Sequence, residues 1–439
     1  MTKQTRRDFL TATAALAATG ALGISSRAQA ATPTLNFKAE EGAKLQVLRW
    51  NRFVQGEIDQ WMANTKKFTE QTGIEVTTDV AGFEDIRPKA AISARVGAGP
   101  DIVLGWYDDP HQYPDKLVDV SDLAKYLGDK YGGWYDVCER YGTSDGRWIS
   151  LPIAAIGNEL VYRKGQVQAA GFDTFPTDTA GFLKLCQALK AKGTPAGFAL
   201  GHSVLDGNGW TYWLMRAFGG KMVDDNNKVV INSPEVWAAL EYAAQLYKTF
   251  TPGTLSWLDS NNNKTFFAGE ISMTNNGISI YYSALNSKDP KIHAMADDIH
   301  HAYFPVGPVG RPTELPGITQ MMLFKYSKYP NAAKAYMQFM MEADQYNAWI
   351  KAAIGYVSQT LKAYEQNPIW TSDPKITFYR DAASRMVRNG YSGTLGAASA
   401  GAMADYIVLD MMAAAASGSK SPKAAAAEAA ERAKRYYKA

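Results

Sequence analysis

Three short apolar runs, separated by two stretches of helical spacing between Leu45 and Trp106, constrain the fold of this chain more than any other feature. Leu45 to Trp50 is a strand-like run. Glu57 to Thr72 sets Ile58, Trp61, Met62, Thr65 and Phe68 at helical spacing and is followed by Gly73, a residue suited to the left-handed position that ends a helix. Ile74 to Val80 alternates like a strand, a helix with an early Pro88 runs to about Val96, and Asp101 to Trp106 reads as a third strand. A β-α-β-α-β order predicts an α/β fold with a parallel sheet and helices on both faces. Ligands of such sheets sit at the carboxyl ends of the strands, here Trp50-Asn51 and Trp106-Tyr107-Asp108-Asp109.

Beyond this unit, Leu151-Pro152-Ile153-Ala154 is extended and leads into a strand-like run to Tyr162. Helical stretches then dominate. Thr179 to Ala191 follows Pro176, and Ser233-Pro234-Glu235 opens a helix to about Phe250, with Ser as cap and Pro in the first turn. Ser421-Pro422 does the same for an Ala-rich terminal helix ending at Tyr437, preceded by an exposed connection over Ala413 to Lys420. There is no internal repeat.

The formal net charge of the 439 residues is +3, but the first 30 residues carry four basic side chains against one acidic, leaving 42 of each in the remainder. A neutral body argues against nucleic acid or an anionic membrane surface as partner, since both select a basic field. Residues 1–30 read as an export signal: a basic start, an apolar stretch from Phe9 to Ile24, and Ala28-Gln29-Ala30 as a small-x-small ending. Thr5-Arg6-Arg7-Asp8-Phe9-Leu10 resembles the twin-arginine signal that sends folded bacterial proteins across the inner membrane. The expected location is the periplasm. No Cys lies near the cleavage site, which argues against a lipoprotein, and Cys138 and Cys186 are too few and too far apart for a disulfide framework or a metal knuckle.

Several motifs now align in order. Trp50-Asn51-Arg52-Phe53-Val54-Gln55-Gly56-Glu57, with Phe68-Thr69-Glu70-Gln71-Thr72-Gly73-Ile74-Glu75-Val76, resembles the opening of extracellular solute-binding proteins that feed bacterial ABC sugar importers, the maltose-binding-protein-like family. Gly97-Ala98-Gly99-Pro100-Asp101-Ile102-Val103 is similar to that family's turn into strand three. Leu151-Pro152-Ile153 with Leu160-Val161-Tyr162-Arg163-Lys164 resembles its first interlobe crossing, and Phe266 to Met273 with Gly277 its second crossing region. Ser327-Lys328-Tyr329-Pro330-Asn331-Ala332-Ala333 and then Gly355-Tyr356-Val357 resemble the return to the first lobe and the last crossing, although Val357-Ser358 stands where the family often has Pro. The resemblance implies a two-lobe periplasmic binding protein fold with three interlobe crossings and the ligand in the cleft between lobes. It divides the chain into a first lobe of 41–152 plus about 290–352 and a second of about 155–285 plus about 357–439. It further implies binding without chemistry, no cofactor, delivery to a membrane permease, and a monomer whose two lobes meet different halves of the transporter.

A sugar presents apolar C–H faces and a rim of hydroxyls, so its site needs flat aromatic platforms beside paired donors and acceptors. The platform candidates are Trp50, Trp106, Trp210 and Tyr356; each could equally be core, as Trp61 and Trp237 are by their helical spacing. The polar candidates are Asn51, Asp108, Asp109, Asn158, Glu159, Asn275 and Asn276, with Gly277 completing either a ligand loop or an ordinary Asn-Gly turn. A carbohydrate is the leading ligand. Glycerol phosphate or another anionic solute is the alternative among binding proteins, though it calls for converging Arg or Lys; a secreted glycoside hydrolase is the alternative of another class. The chain has no G-x-S-x-G elbow, H-E-x-x-H pair or phosphate loop. His293, Asp297 and His301 would share a face for a metal ion only if their segment were one helix. Tyr281-Tyr282 resembles the tyrosine pair of periplasmic ferric-ion binders, but no companion anionic cluster accompanies it.

Overall fold

The computed structural model describes residues 36–438 except 52, 316 and 388–391, so the export signal lies outside the described residues. Eight strands build two sheets: β1 (Lys44–Trp50), β2 (Glu75–Ala81), β3 (Ile102–Trp106), β4 (Leu151–Ile156), β5 (Glu159–Arg163), β6 (Met273–Asn276), β7 (Ile299–Ala302) and β8 (Gly317–Leu323). Every residue of β3 is buried, as expected of a uniformly apolar strand covered on both faces. The helix Gln55–Thr72 ends where Gly73 adopts φ 75° and donates its N–H to the Thr69 carbonyl at 2.8 Å. The helix Ile86–Val96 ends the same way at Gly97, with φ 71°.

β1 pairs in parallel with β2 and with β3, matching the reading of the first three strands. The sheet as a whole is mixed, in the order β2-β1-β3-β8-β4, because β8 inserts antiparallel between β3 and β4. Nothing local in Gly317–Leu323 announces that insertion; it follows from the chain's late return.

The second sheet is antiparallel, in the order β6-β5-β7. Since β7 belongs to it, the return to the first sheet falls between Ala302 and Gly317, later than about 290. Helices Thr179–Ala191, Asp206–Ala217 and Pro234–Tyr247 lie between β5 and β6. The Asp178 side chain caps the first of them by accepting from the Gly181 N–H at 2.8 Å. Ser233 and Ser421 cap their helices as expected, though these stop at Tyr247 and Ala433, short of Phe250 and Tyr437. The helices Ile407–Ala416 and Pro422–Ala433 pack on Pro234–Tyr247. Ile407–Ala416 also absorbs half of the connection expected over Ala413 to Lys420.

The lobes are joined by residues 156–159, by residues 303–315 and by the stretch around Tyr356. The first and third crossings run side by side, Ala155 and Ser358 exchanging N–H to carbonyl bonds at 3.0 and 2.7 Å. The helix carrying His293 and Asp297 ends at Asp298, which places His301 in β7 and breaks the imagined metal-binding face. Cys138 and Cys186 are both buried and free.

Candidate functional site

The segments after β1 and β2 and the first and third crossings converge on a pocket between the two sheets that, with the space open to solvent, spans about 310 Å³. A wider depression of about 900 Å³ opens near Asn347, Lys351, Asn367 and Pro368, but its lining comes from residues 347–372 alone. The first cavity is lined from two sides, by Phe53 and Phe83 on one and by Asp206, Asp259 and Ser279 on the other.

On the first-lobe side the lining is aromatic. Phe53 follows β1 and Phe83 follows β2, and the two rings meet edge-on with centroids 5.6 Å apart. Phe83 stacks on Trp106 at 3.9 Å, Trp106 packs on Trp50 at 5.0 Å, and Phe53 also approaches Tyr356 of the third crossing at 6.4 Å. Trp50 and Trp106 have no exposed surface and form a layer behind Phe83. The strand-end tryptophans therefore support the platform, and the ring that faces the cavity comes from the next strand's end. Tyr356 lines the cavity with its hydroxyl buried and, among the described residues, without a hydrogen-bond partner.

The second-lobe side is built from carboxylates and amides. Asp206 opens the helix Asp206–Ala217 and accepts from Asn158 Nδ2 at 3.1 Å and Asn262 Nδ2 at 2.8 Å. Asn275 donates to Asn158 Oδ1 and to the Asp206 carbonyl, both at 2.8 Å. Asp259 accepts from Ser203 Oγ at 2.7 Å and from the N–H groups of Val204, Leu205 and Asp206 at 2.7, 3.0 and 2.8 Å, fixing the start of that helix. Asn276 donates to Asn263 and accepts from Ser279 Oγ, both at 2.7 Å. Gly209 makes room for this network: a Cβ there would sit 2.8 Å from Asn158 Nδ2. Burial pushes the Asp206 and Asp259 carboxyls up, and for Asp206 the charge of Asp259 adds to the effect while its two amide donors oppose it.

Of the residues expected from sequence, Asn158, Asn276, Gly277 and Tyr356 line the cavity. Asn275 stands one step behind, holding Asn158 and Asp206. Asp109 is committed elsewhere, accepting from Arg87 Nε at 2.7 Å and from the Trp106 N–H at 2.9 Å. Asp108 accepts from Ser399 Oγ at 2.6 Å, a bond between the first lobe and the C-terminal helices; burial lifts its carboxyl to about 6 against that bond. Asn51 is exposed and donates its N–H to Ala81 at 2.7 Å. Glu159 is buried beside Glu314 and Arg385, and burial drives its carboxyl well up. Trp210 packs in the second-lobe core against Phe198 and Phe250 and donates to the Ala199 carbonyl at 2.6 Å, away from the cavity. Phe53, Phe83, Leu205, Asp206, Asp259 and Ser279 were not read from sequence. Phe53 and Phe83 carried the available signal, since both follow the ends of parallel strands.

The family model described as bacterial extracellular solute-binding protein matches residues 63–377. A Deinococcus radiodurans protein described as a probable ABC transporter-binding protein is 24% identical over 211 residues, 46% of this chain. The match spans 49%, about half, of that curated relative's length. The fold is shared with maltose-bound MalE3 of T. maritima (TM-score 0.75, 20% identity, 90% of this chain and 99% of that one). It is also shared with a laminaribiose-bound sugar transporter from Arthrobacter chlorophenolicus A6 (0.76, 17%, 90% and 99%) and a ribitol-bound solute-binding protein from Agrobacterium radiobacter K84 (0.72, 20%, 91% and 100%). With two lobes, three crossings and a family match over most of its length, the chain belongs to the bacterial extracellular solute-binding protein family.

Proposed function

We propose that the protein binds a small carbohydrate or polyol in the cleft and delivers it to the permease of an ABC importer, acting as a periplasmic monomer exported by the twin-arginine route. The observation that carries the ligand class is the pairing of walls. Phe53 and Phe83 offer apolar faces for C–H groups, while Asp206, Asn158, Asn276 and Ser279 offer polar groups for hydroxyls. Sugar- and polyol-bound neighbours of the same fold support the reading. An anionic solute fits poorly, because the described lining holds no Lys or Arg. Hydrolysis fits poorly as well, since Asp259 is occupied by four donors from 203–206 and is not placed to hand on a proton.

Thermal-shift screening of the mature protein against monosaccharides, disaccharides, polyols, glycerol phosphates and oligopeptides tests this, because any ligand of the native state raises the melting temperature by mass action. Stabilisation by sugars or polyols is expected. Stabilisation by anionic solutes alone, or turnover of a glycoside, overturns the reading.

A further inference from the structure

The protein's buried acids are treated in two ways. Glu57, Asp109 and Glu314 each have an arginine nitrogen at 2.6–2.7 Å, from Arg49, Arg87 and Arg385. Glu159 lies in the field of Arg385. Asp206 and Asp259 are as deeply buried, yet among the described residues neither takes part in an ion pair. Asp259 has backbone and hydroxyl donors for its lone pairs. Asp206 has two neutral amide donors and a like charge beside it. A buried carboxylate costs several kcal/mol unless a partner charge arrives, a cost that Glu57, Asp109 and Glu314 offset with arginine.

A second feature marks the same place from another crossing. Tyr356, 3% exposed, lines the cavity with its hydroxyl unpaired among the described residues, so a buried donor-acceptor waits across from the carboxylates. An aromatic wall of Phe53 and Phe83 closes the remaining side, and ring faces attract cations as well as C–H groups.

We infer that the solute is a polyhydroxylated amine, an amino sugar or amino polyol, whose ammonium group seats against Asp206 with Asp259 behind it. This rests on the reading of the cleft as a carbohydrate site and narrows it. The ammonium supplies the counter-charge that the lining lacks, its N–H donors reach Asp206, and the Tyr356 hydroxyl is left to pair with a ring or chain hydroxyl.

Calorimetric titration of the mature protein tests the inference with matched probes: glucosamine, galactosamine and mannosamine, each beside its parent hexose and its N-acetyl form, and 1-amino-1-deoxysorbitol beside sorbitol. At least one free amine is expected to bind tenfold or more tightly than both its neutral parent and its acetylated form. In Asp206→Asn that preference is expected to collapse to within about twofold, whatever the change in the neutral parent's own affinity. Equal or tighter binding of the neutral parents overturns the inference while leaving the carbohydrate reading intact. A preference that survives in a folded Asp206→Asn protein also overturns it, and binding of none of these probes counts against both. The wild-type comparison of amine with hydroxyl decides the matter without the variant if Asp206→Asn does not fold.

Discussion

Phe83 and Asp206 face the same cavity, yet what stands behind them differs in kind. Behind Phe83 is a run of rings, Trp106 and then Trp50, in contact through dispersion and edge-to-face electrostatics that tolerate small shifts. Behind Asp206 is a closed set of directed bonds through Asn158, Asn262 and Asn275. In that set each lost partner leaves another buried group unsatisfied. The aromatic wall should thus yield by degrees. The polar wall should yield all at once.

The sharpest way to break this contrast is Trp106→Ala. A buried tryptophan removed from behind the platform is expected to cost about 3–5 kcal/mol of stability, read by urea unfolding. Unchanged stability would show that Phe83 stands on its own. Acid should act on both lobes, because each holds one neutral buried imidazole. Burial lowers His111, beside the first sheet, from 6.5 to about 4, and His301, in the second, to about 3. The unfolded chain takes up these protons near the ordinary value and the folded chain does not, so stability falls as pH drops from 6.5 towards 4. His111 alone contributes up to about 3 kcal/mol. Unfolding midpoints at pH 7 and 4.5 check this, and His111→Gln should lessen the difference. Asp206 and Asp259 run the other way, their raised carboxyls opposing folding only while ionised, so their contribution eases as pH falls.

Asp259→Ala strands three backbone N–H groups and the Ser203 hydroxyl, an expected loss of about 2 kcal/mol seen in melting curves. Phe83→Ala should weaken a carbohydrate ligand by roughly tenfold or more, read by titration, as expected when a buried aromatic contact is truncated. The smallest effect concerns the lobes themselves. Tyr282 Oη accepts from the Gly56 N–H at 3.0 Å across the molecule, and Tyr282→Phe should raise the ligand Kd by about fivefold, near 1 kcal/mol.

The first three strands, the glycine stops at Gly73 and Gly97, and the caps at Ser233 and Ser421 were legible because each depends on neighbours in sequence. The site was legible only in part. Trp50 and Trp106 stand at strand ends as read, but which ring faces the cavity depends on packing between strands. Trp210 gave no warning, because every residue of Asp206–Ala217 is buried and the helix shows no polar face to orient it. The association of Asp206 with Asp259 joins segments more than fifty residues apart, with no periodicity connecting them.

Gly209 carries a consequence for substitution. Because a methyl group there would collide with the Asn158 amide, the two positions cannot drift independently. Enlarging residue 209 would press on the Asn158 amide that donates to Asp206, so the two positions are coupled. A substitution at either position that changes its volume therefore has to be matched at the other.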